Sequence, residues 1–387
     1  MSQLPFAPPL SRRVYRIAVA ALFFIQGVSF ASWTSRIPTV LDKMHLTEAE
    51  LGSLLFLLPI GSLLCLPIAG WLIHRFQSYR VALTALLLNG CALLAIGFSV
   101  TEGQLMASLL AYGFVSNLAN ISINTQAVGV EAIYGRSVMA TFHGMWSLAG
   151  FVAAAIGQAM IRNSVPMSLH YTVMLVVMAL SVGIASRYLL RADPPVSGKQ
   201  PVFPLPDKPL LRLGFIAFCA MMCEGTMFDW SGVYFKNVIR AAPEWIGAGF
   251  TAFMCTMALG RFFADRFTDR FGRQRLLQGS GLLVAFGLLL SVVFPYILPA
   301  LLGFMLVGFG VSSIVPLIYG AAGQSKTLAP GLALAAVSSV GFIGFLAGPP
   351  IIGWVASWFS LRISFLLITV MALCVTALAS LLKNNGE

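Results

Sequence analysis

Apolar runs long enough to cross a membrane recur along this whole sequence, about twelve times, with only short polar breaks between them. A spanning helix needs roughly 20 mostly apolar residues, so little chain is left over for a soluble catalytic domain. Of 387 residues, 58% are hydrophobic and only 10% charged, a balance that soluble domains do not show. Lipid is therefore the solvent for most of the chain. With no water to satisfy backbone groups there, runs of this length must close their hydrogen bonds internally, which predicts an all-α membrane protein.

The formal net charge of +11 would point to nucleic acid in a soluble domain, but here the cations sit in the breaks between apolar runs. They favour every second break: Arg12, Arg13 and Arg16; Arg75, Arg80 and Arg136; Arg187, Arg191, Lys199, Lys208 and Arg212; Arg266, Arg270, Arg273 and Arg275; Lys326 and Lys383. The alternate set holds only Arg36, Lys43, Arg162, Lys236, Arg240 and Arg362. Positive charge favours the cytoplasmic side, so both termini are expected in the cytoplasm and the chain in the inner membrane, without nucleic acid as a partner. No cleavable signal peptide is expected, because the first apolar run is too long and no small-residue cleavage site follows it. All six cysteines lie inside apolar runs, where they behave as small hydrophobes. Cys219 and Cys223 are one helical turn apart without a further Cys or His pair, so neither a metal nor a cofactor is expected.

The runs place helices at about 14–37, 51–73, 81–100, 105–131, 138–161 and 168–190, then at about 209–236, 247–266, 276–294, 298–320, 331–353 and 362–382. The breaks at Thr101-Glu102-Gly103-Gln104 and around Pro295 are short enough for ten or eleven spans, but the charge alternation favours twelve. Between the sixth and seventh spans stands a polar stretch with Pro194, Pro195, Pro201, Pro204, Pro206 and Pro209, which cannot continue a helix. The predicted organisation is a six-helix half over 1–192, a cytoplasmic linker over 193–208 and a second six-helix half over 209–387. Two such halves suit a carrier that works by alternating access.

Directly after the eighth run stands Gly260-Arg261-Phe262, followed by Asp265 and by Asp269-Arg270-Phe271-Gly272-Arg273-Gln274-Arg275. The matching first-half loop is Gly70-Trp71-Leu72-Ile73-His74-Arg75-Phe76-Gln77-Ser78-Tyr79-Arg80, with His74 in the place of the acid. This pair of loops resembles the cytoplasmic signature of the major facilitator superfamily, which falls between the second and third helices of each half. The resemblance implies the major facilitator fold of twelve transmembrane helices. An acid beside arginines at a helix end can latch one conformation by pairing with cations or a helix dipole, which makes Asp269, Arg270, Arg273 and Arg75 the candidate latch. Ala31-Ser32-Trp33-Thr34-Ser35-Arg36-Ile37-Pro38, His143-Gly144-Met145-Trp146-Ser147-Leu148, Glu224-Gly225 and Asp229-Trp230 resemble the sugar-permease branch that includes fucose:proton symporters. The acids those symporters carry on their first and fourth helices fall here on Thr34 and Asn120, so their coupling roles do not transfer. Gly344 to Gly353 resemble the Gly-Pro motif of drug:proton antiporters, but on the eleventh helix instead of the fifth.

Polar side chains inside the runs are the remaining signal, because lipid makes them costly. Asn117, Asn120 and Asn124 share one face of the fourth helix, with Glu131 further along the same stripe. Gln26, Ser29, Trp33 and Arg36 share one side of the first. Helix-to-helix hydrogen bonds explain any single amide as well as ligand contact does, whereas three on one stripe favour a cavity wall. Trp33, Trp146 and Trp230 can stack on a sugar or anchor the membrane interface. Glu224 falls near the middle of the seventh helix and Asp229 about 7.5 Å further along it. No cation is expected at matching depth, so these two lead as proton carriers, followed by His143 and Glu131.

These features predict a secondary transporter, not an enzyme, that moves a small polar, sugar-like metabolite with protons. Gln26, Trp33, Asn117, Asn120, Asn124, Trp146 and Trp230 form the expected substrate site. A proton-driven exporter of a metabolite or drug is the alternative. A membrane-embedded enzyme would need a metal cluster or a facing nucleophile and base, which four scattered histidines do not supply. The expected partners are the substrate, protons and lipid, and the expected state is a monomer.

Overall fold

The computed structural model describes residues 10–134, 138–193, 207–325, 327–328 and 330–382. Most of the linker, the termini at Met1 and Glu387, Arg136, Lys199, Lys326, Lys383 and the side chain of Asp265 lie outside the described residues. Every regular element among the described residues is helical, and twelve helices have the length and composition to cross a membrane. In chain order the elements are α1 (Arg12–Ser35), α2 (Ile37–Lys43), α3 (Glu48–Leu55), α4 (Leu57–Phe76), α5 (Ser78–Phe98), α6 (Glu102–Tyr134), α7 (Met139–Arg162) and α8 (Met167–Ala185). Then follow α9 (Lys208–Asn237), a 3-10 turn (Pro243–Trp245), α10 (Ala248–Phe271), α11 (Arg273–Val293), α12 (Ile297–Ala322), α13 (Pro330–Trp358) and α14 (Leu361–Ser380).

Two prolines explain where the helices break. Pro38 has no N–H and its ring opposes the carbonyl four residues back, at Thr34, so α1 stops at Ser35 and the chain restarts as the short α2. Pro59 does the same to Leu55, which splits the second span into α3 and α4 at Phe56. The span itself begins at Glu48, a little before the expected 51, because Thr47 and Glu50 form a reciprocal cap at its start.

The chain forms two compact units. The first holds residues 1–33, 57–153 and 165–197; the second holds 34–56, 154–164 and 198–387. Inside the first, α4 packs on α6, α5 on α6 and α5 on α8. Inside the second, α10 packs on α12, α11 on α12 and α11 on α14. The same three pairings recur six spans later, as an internal repeat requires. Close approach at the α4–α6 and α10–α12 crossings depends on glycine: a Cβ on Gly113 would strike the Leu58 carbonyl and one on Gly308 the Phe253 carbonyl. The α4–α5 and α10–α11 turns also match, each passing through one residue of positive φ, Gln77 at 70° and Gly272 at 77°.

The second unit is fastened together at one end by polar contacts. Its α2 packs on α9 and its α3 on α13. Lys236 pairs with Asp42, and Asn237 Nδ2 donates to Glu48 Oε1 at 2.8 Å. The Gln158 amide donates to the Glu244 carbonyl and accepts from Gly247 N–H. Both elements that meet α9 and α13 here begin or end at the proline breaks.

Candidate functional site

Each unit carries polar side chains at membrane depth. In the first a neutral set is bonded together. Ser29 Oγ on α1 donates to Asn89 Oδ1 on α5 at 2.5 Å and lies 3.1 Å from the Tyr112 hydroxyl of α6. Asn89 Nδ2 donates in turn to Ser116 Oγ, and Gln26 Nε2 donates to the Ser116 carbonyl at 3.3 Å. Four spans of the unit thus meet in hydrogen bonds, since Asn117 Nδ2 also donates to the Ser62 carbonyl of α4 at 2.7 Å. In a hydrocarbon surrounding, such donors and acceptors hold helices together only if all are satisfied.

The expected amide stripe therefore divides. Asn117 ties α6 to α4. Asn120 is exposed and accepts from Asn124 Nδ2, at 2.8 Å on its carbonyl and 2.9 Å on its side chain. Trp146 is half-buried with its ring centroid 5.4 Å from that of Phe30. Trp33 is 1% exposed, packed 6.4 Å from the Tyr112 ring, and its indole nitrogen has no hydrogen-bond partner among the described residues. His143 is exposed, edge-on to Phe23 at 5.3 Å. Glu131 accepts from the backbone N–H groups of Val138 and Met139 at 3.0 and 3.1 Å, so it caps the start of α7.

The second unit carries charge. Glu224 on α9 and Arg261 on α10 form an ion pair of 3.3 Å, with side chains 14% and 23% exposed. This corrects the expectation that no cation lies at the depth of Glu224. The eighth span is expected to end near residue 266, with Arg261 close to its end; in the structure α10 continues to Phe271, and Arg261 stands about 15 Å inside that end. Asp229 is buried at 8% exposure, and Trp230 is fully buried, its indole nitrogen lacking a hydrogen-bond partner among the described residues.

At the α10–α11 turn the latch candidates are spread out. Asp269 is exposed, and the Arg270 guanidinium lies over the ring of the next residue, Phe271, at 5.5 Å. Arg75 lies over Phe76 in the same way at 5.7 Å. Arg273 donates to Gln324 at 3.1 Å. In the first half the acid missing from the loop is replaced from elsewhere: Asp193 accepts from Ser78 N–H at 2.7 Å and from the Ser78 hydroxyl, at the N-terminus of α5. Asp193, Asn89 and Arg261 are the residues that motif reasoning missed. Asn89 and Arg261 each carried a signal, a lone polar side chain inside an apolar run.

A model of the family described as the Major Facilitator Superfamily matches residues 18–242 and 213–386. An uncharacterized MFS-type transporter of Yersinia pestis is 32% identical over 368 residues, covering 94% of each chain. Among solved structures, the bacterial homolog of the human lysosomal transporter Spinster superposes with a TM-score of 0.75 at 12% identity over 97% of each chain. The nucleoside transporter NupG superposes with a TM-score of 0.74 at 13% identity, over 95% of this chain and 100% of its own. At such identities the two structures share the fold.

Proposed function

The chain belongs to the Major Facilitator Superfamily, and we propose that it is a proton-coupled secondary transporter of a small polar, sugar-like metabolite. The observation that carries the coupling is the Glu224–Arg261 pair inside the helical bundle of the second unit. Burying two charges costs more than a hydrophobic pair of the same volume, so stability alone is a poor reason to keep them. A proton on Glu224 abolishes the pair and releases Arg261, and the loss of that proton restores it. Two protonation states thus favour two arrangements of α9 and α10, which is what a carrier needs to tie proton flow to the swing between its states. Asp229 is the second carrier, one helical segment along α9.

The neutral character of the first unit supports the polar, uncharged substrate. Gln26, Asn120 and Asn124 supply amide donors and acceptors without fixed charge, matched to hydroxyl groups. Trp146 keeps part of its ring accessible for stacking, while Trp33 and Trp230 would need a different conformation to expose theirs. His143 and Glu131 are secondary proton carriers in this scheme, Glu131 the weaker because its carboxylate already caps α7. The protein works as a monomer in the inner membrane with both termini in the cytoplasm, and Asp269 and the arginines around it latch one state.

The test is uptake into proteoliposomes under an imposed pH gradient, with the substrate first found by thermal-shift screening of sugars, polyols, organic acids and cationic drugs, since a ligand of the folded state stabilises it. Glu224→Gln should abolish proton-driven accumulation yet retain substrate exchange, because the amide mimics the protonated acid. Accumulation by Glu224→Gln and Asp229→Asn alike, or hits among lipophilic cations alone, would refute this assignment.

A further inference from the structure

In the second unit α10 and α11 each pack along α12, and only lightly against each other. A cavity of about 220 Å³ opens between them, walled by Gly260, Phe267 and Phe271 of α10 and by Leu276 and Gly279 of α11, over Ser312 of α12. Along α10 the lining from Gly260 to Phe271 extends about 16 Å at 1.5 Å per residue. That is roughly the depth of one leaflet in a hydrocarbon core about 30 Å thick. The opening faces away from α12: Phe271 is half exposed, and a Cβ placed on Gly279 would meet nothing within 4 Å.

Charge marks one end of this slot. Between residues 264 and 276 the sequence has four arginines, Arg266, Arg270, Arg273 and Arg275, against Asp265 and Asp269. The Arg270 guanidinium stands 5.5 Å from the ring of Phe271, itself a wall of the cavity. Arg275 is exposed one residue before Leu276, another wall residue, whereas Arg273 is already engaged by Gln324. At the far end, beside Gly260, Arg261 is paired with Glu224. An occupant must therefore be apolar along its length and anionic at the turn.

We propose that this slot holds an acyl chain of an anionic phospholipid, with its phosphate on Arg270 and Arg275. Guanidinium groups bind phosphate oxygens through paired, charge-assisted hydrogen bonds, and basic clusters at the membrane surface select anionic headgroups. A zwitterionic lipid brings a cation of its own to the same arginines and is held less well. The slot takes part of one chain, and the rest of the lipid stays in the bilayer.

The purified full-length protein should bind dioleoylphosphatidylglycerol about tenfold more tightly than dioleoylphosphatidylcholine, read by native mass spectrometry from detergent. Arg270→Gln combined with Arg275→Gln should remove that preference. Arg275→Gln alone, a change at an exposed side chain, should lower it about threefold, which keeps the test open if the double variant fails to fold. Gly279→Phe, at a position where an added Cβ meets nothing within 4 Å, should obstruct the slot and lose the bound lipid, while thermal unfolding in lipid-free detergent stays as in the wild type. Glycerol 1-phosphate, a headgroup without chains, should not bind. Equal affinity for the two lipids, full retention by Gly279→Phe, or binding of glycerol 1-phosphate as strong as that of the lipid would overturn the proposal.

Discussion

The two units solve the same problem, polar side chains at membrane depth, by opposite means. The first unit satisfies Ser29, Asn89, Tyr112 and Ser116 with neutral hydrogen bonds across three spans. The second places Glu224 against Arg261 and buries Asp229. A neutral network has one best arrangement and resists change, because every broken bond strands a partner. A charged pair has two, since one proton removes the attraction altogether. The helices of the two units share the same pairings, so the difference lies in chemistry carried by an equivalent frame. We propose that the first unit contributes most to recognition and the second most to coupling.

The largest expected effect comes from breaking the charged pair. Arg261→Gln leaves a largely buried carboxylate without its cation, and losing one member of such a pair costs about 3 kcal/mol. Adding Glu224→Gln should recover most of that loss, since the double variant buries no charge. Unfolding measurements on both single variants and the double variant supply the cycle. A double variant no more stable than Arg261→Gln would mean that Arg261 acts through packing, and the contrast between units would fail.

Asn89→Leu attacks the neutral side of the comparison. It leaves Ser116 Oγ without the Asn89 amide and removes the acceptor for Ser29, at a cost of about 2 kcal/mol for stranded buried groups. Its signature should be lower thermal stability with an unchanged pH dependence of transport. A shifted pH profile would place part of the coupling machinery in the first unit.

Asp269→Asn sharpens the comparison at the repeated turns. The exposed carboxylate contributes little to folding, so unfolding should change by about 0.5 kcal/mol or less. If it latches a conformation, transport slows and the distribution between states shifts, as a distance probe across the turn would record. Unchanged transport in a folded variant would reduce these residues to a solvated charge run.

Much of the fold is legible in the sequence for a simple reason: hydrocarbon imposes length and apolarity on every span, and the loops carry the charge. The breaks at Phe56 and after Ser35 interrupt spans expected to be continuous, and proline alone does not foretell them, because Pro67, Pro316, Pro349 and Pro350 sit inside helices that run on. The site was harder to read. Arg261 hid because a single cation near the end of an apolar run resembles a loop boundary, and only the continuation of α10 to Phe271 shows its depth. Asn117 and Asn120 lie on one helical face as spacing requires, yet Asn117 bonds a neighbouring helix and Asn120 accepts from Asn124 of its own. Spacing fixes the face, but the neighbour's backbone decides what occupies it. Asp193 could not be anticipated, because its partner Ser78 is distant in the chain and no motif links them.

The smallest effect concerns the two aspartates at the ends of the linker, one for each unit. Asp193 caps α5 in the first unit. Asp207 caps α9 in the second, accepting from Leu210 N–H at 2.9 Å and from the Thr327 hydroxyl. Those hydrogen bonds, the one from Thr327 foremost, hold the Asp207 carboxyl below its ordinary pKa. A folded-state pKa below the unfolded one means stability that is fully present above the unfolded value, near 3.9, and lost as the pH falls through the folded value. Asp207→Asn keeps an effective N-cap side chain, so at neutral pH it should cost about 0.5 kcal/mol or less. Below about pH 4 the wild type should lose its advantage and the two unfolding curves should converge. A gap that persisted to lower pH would mean that the carboxylate's charge is not what holds this end of the second unit.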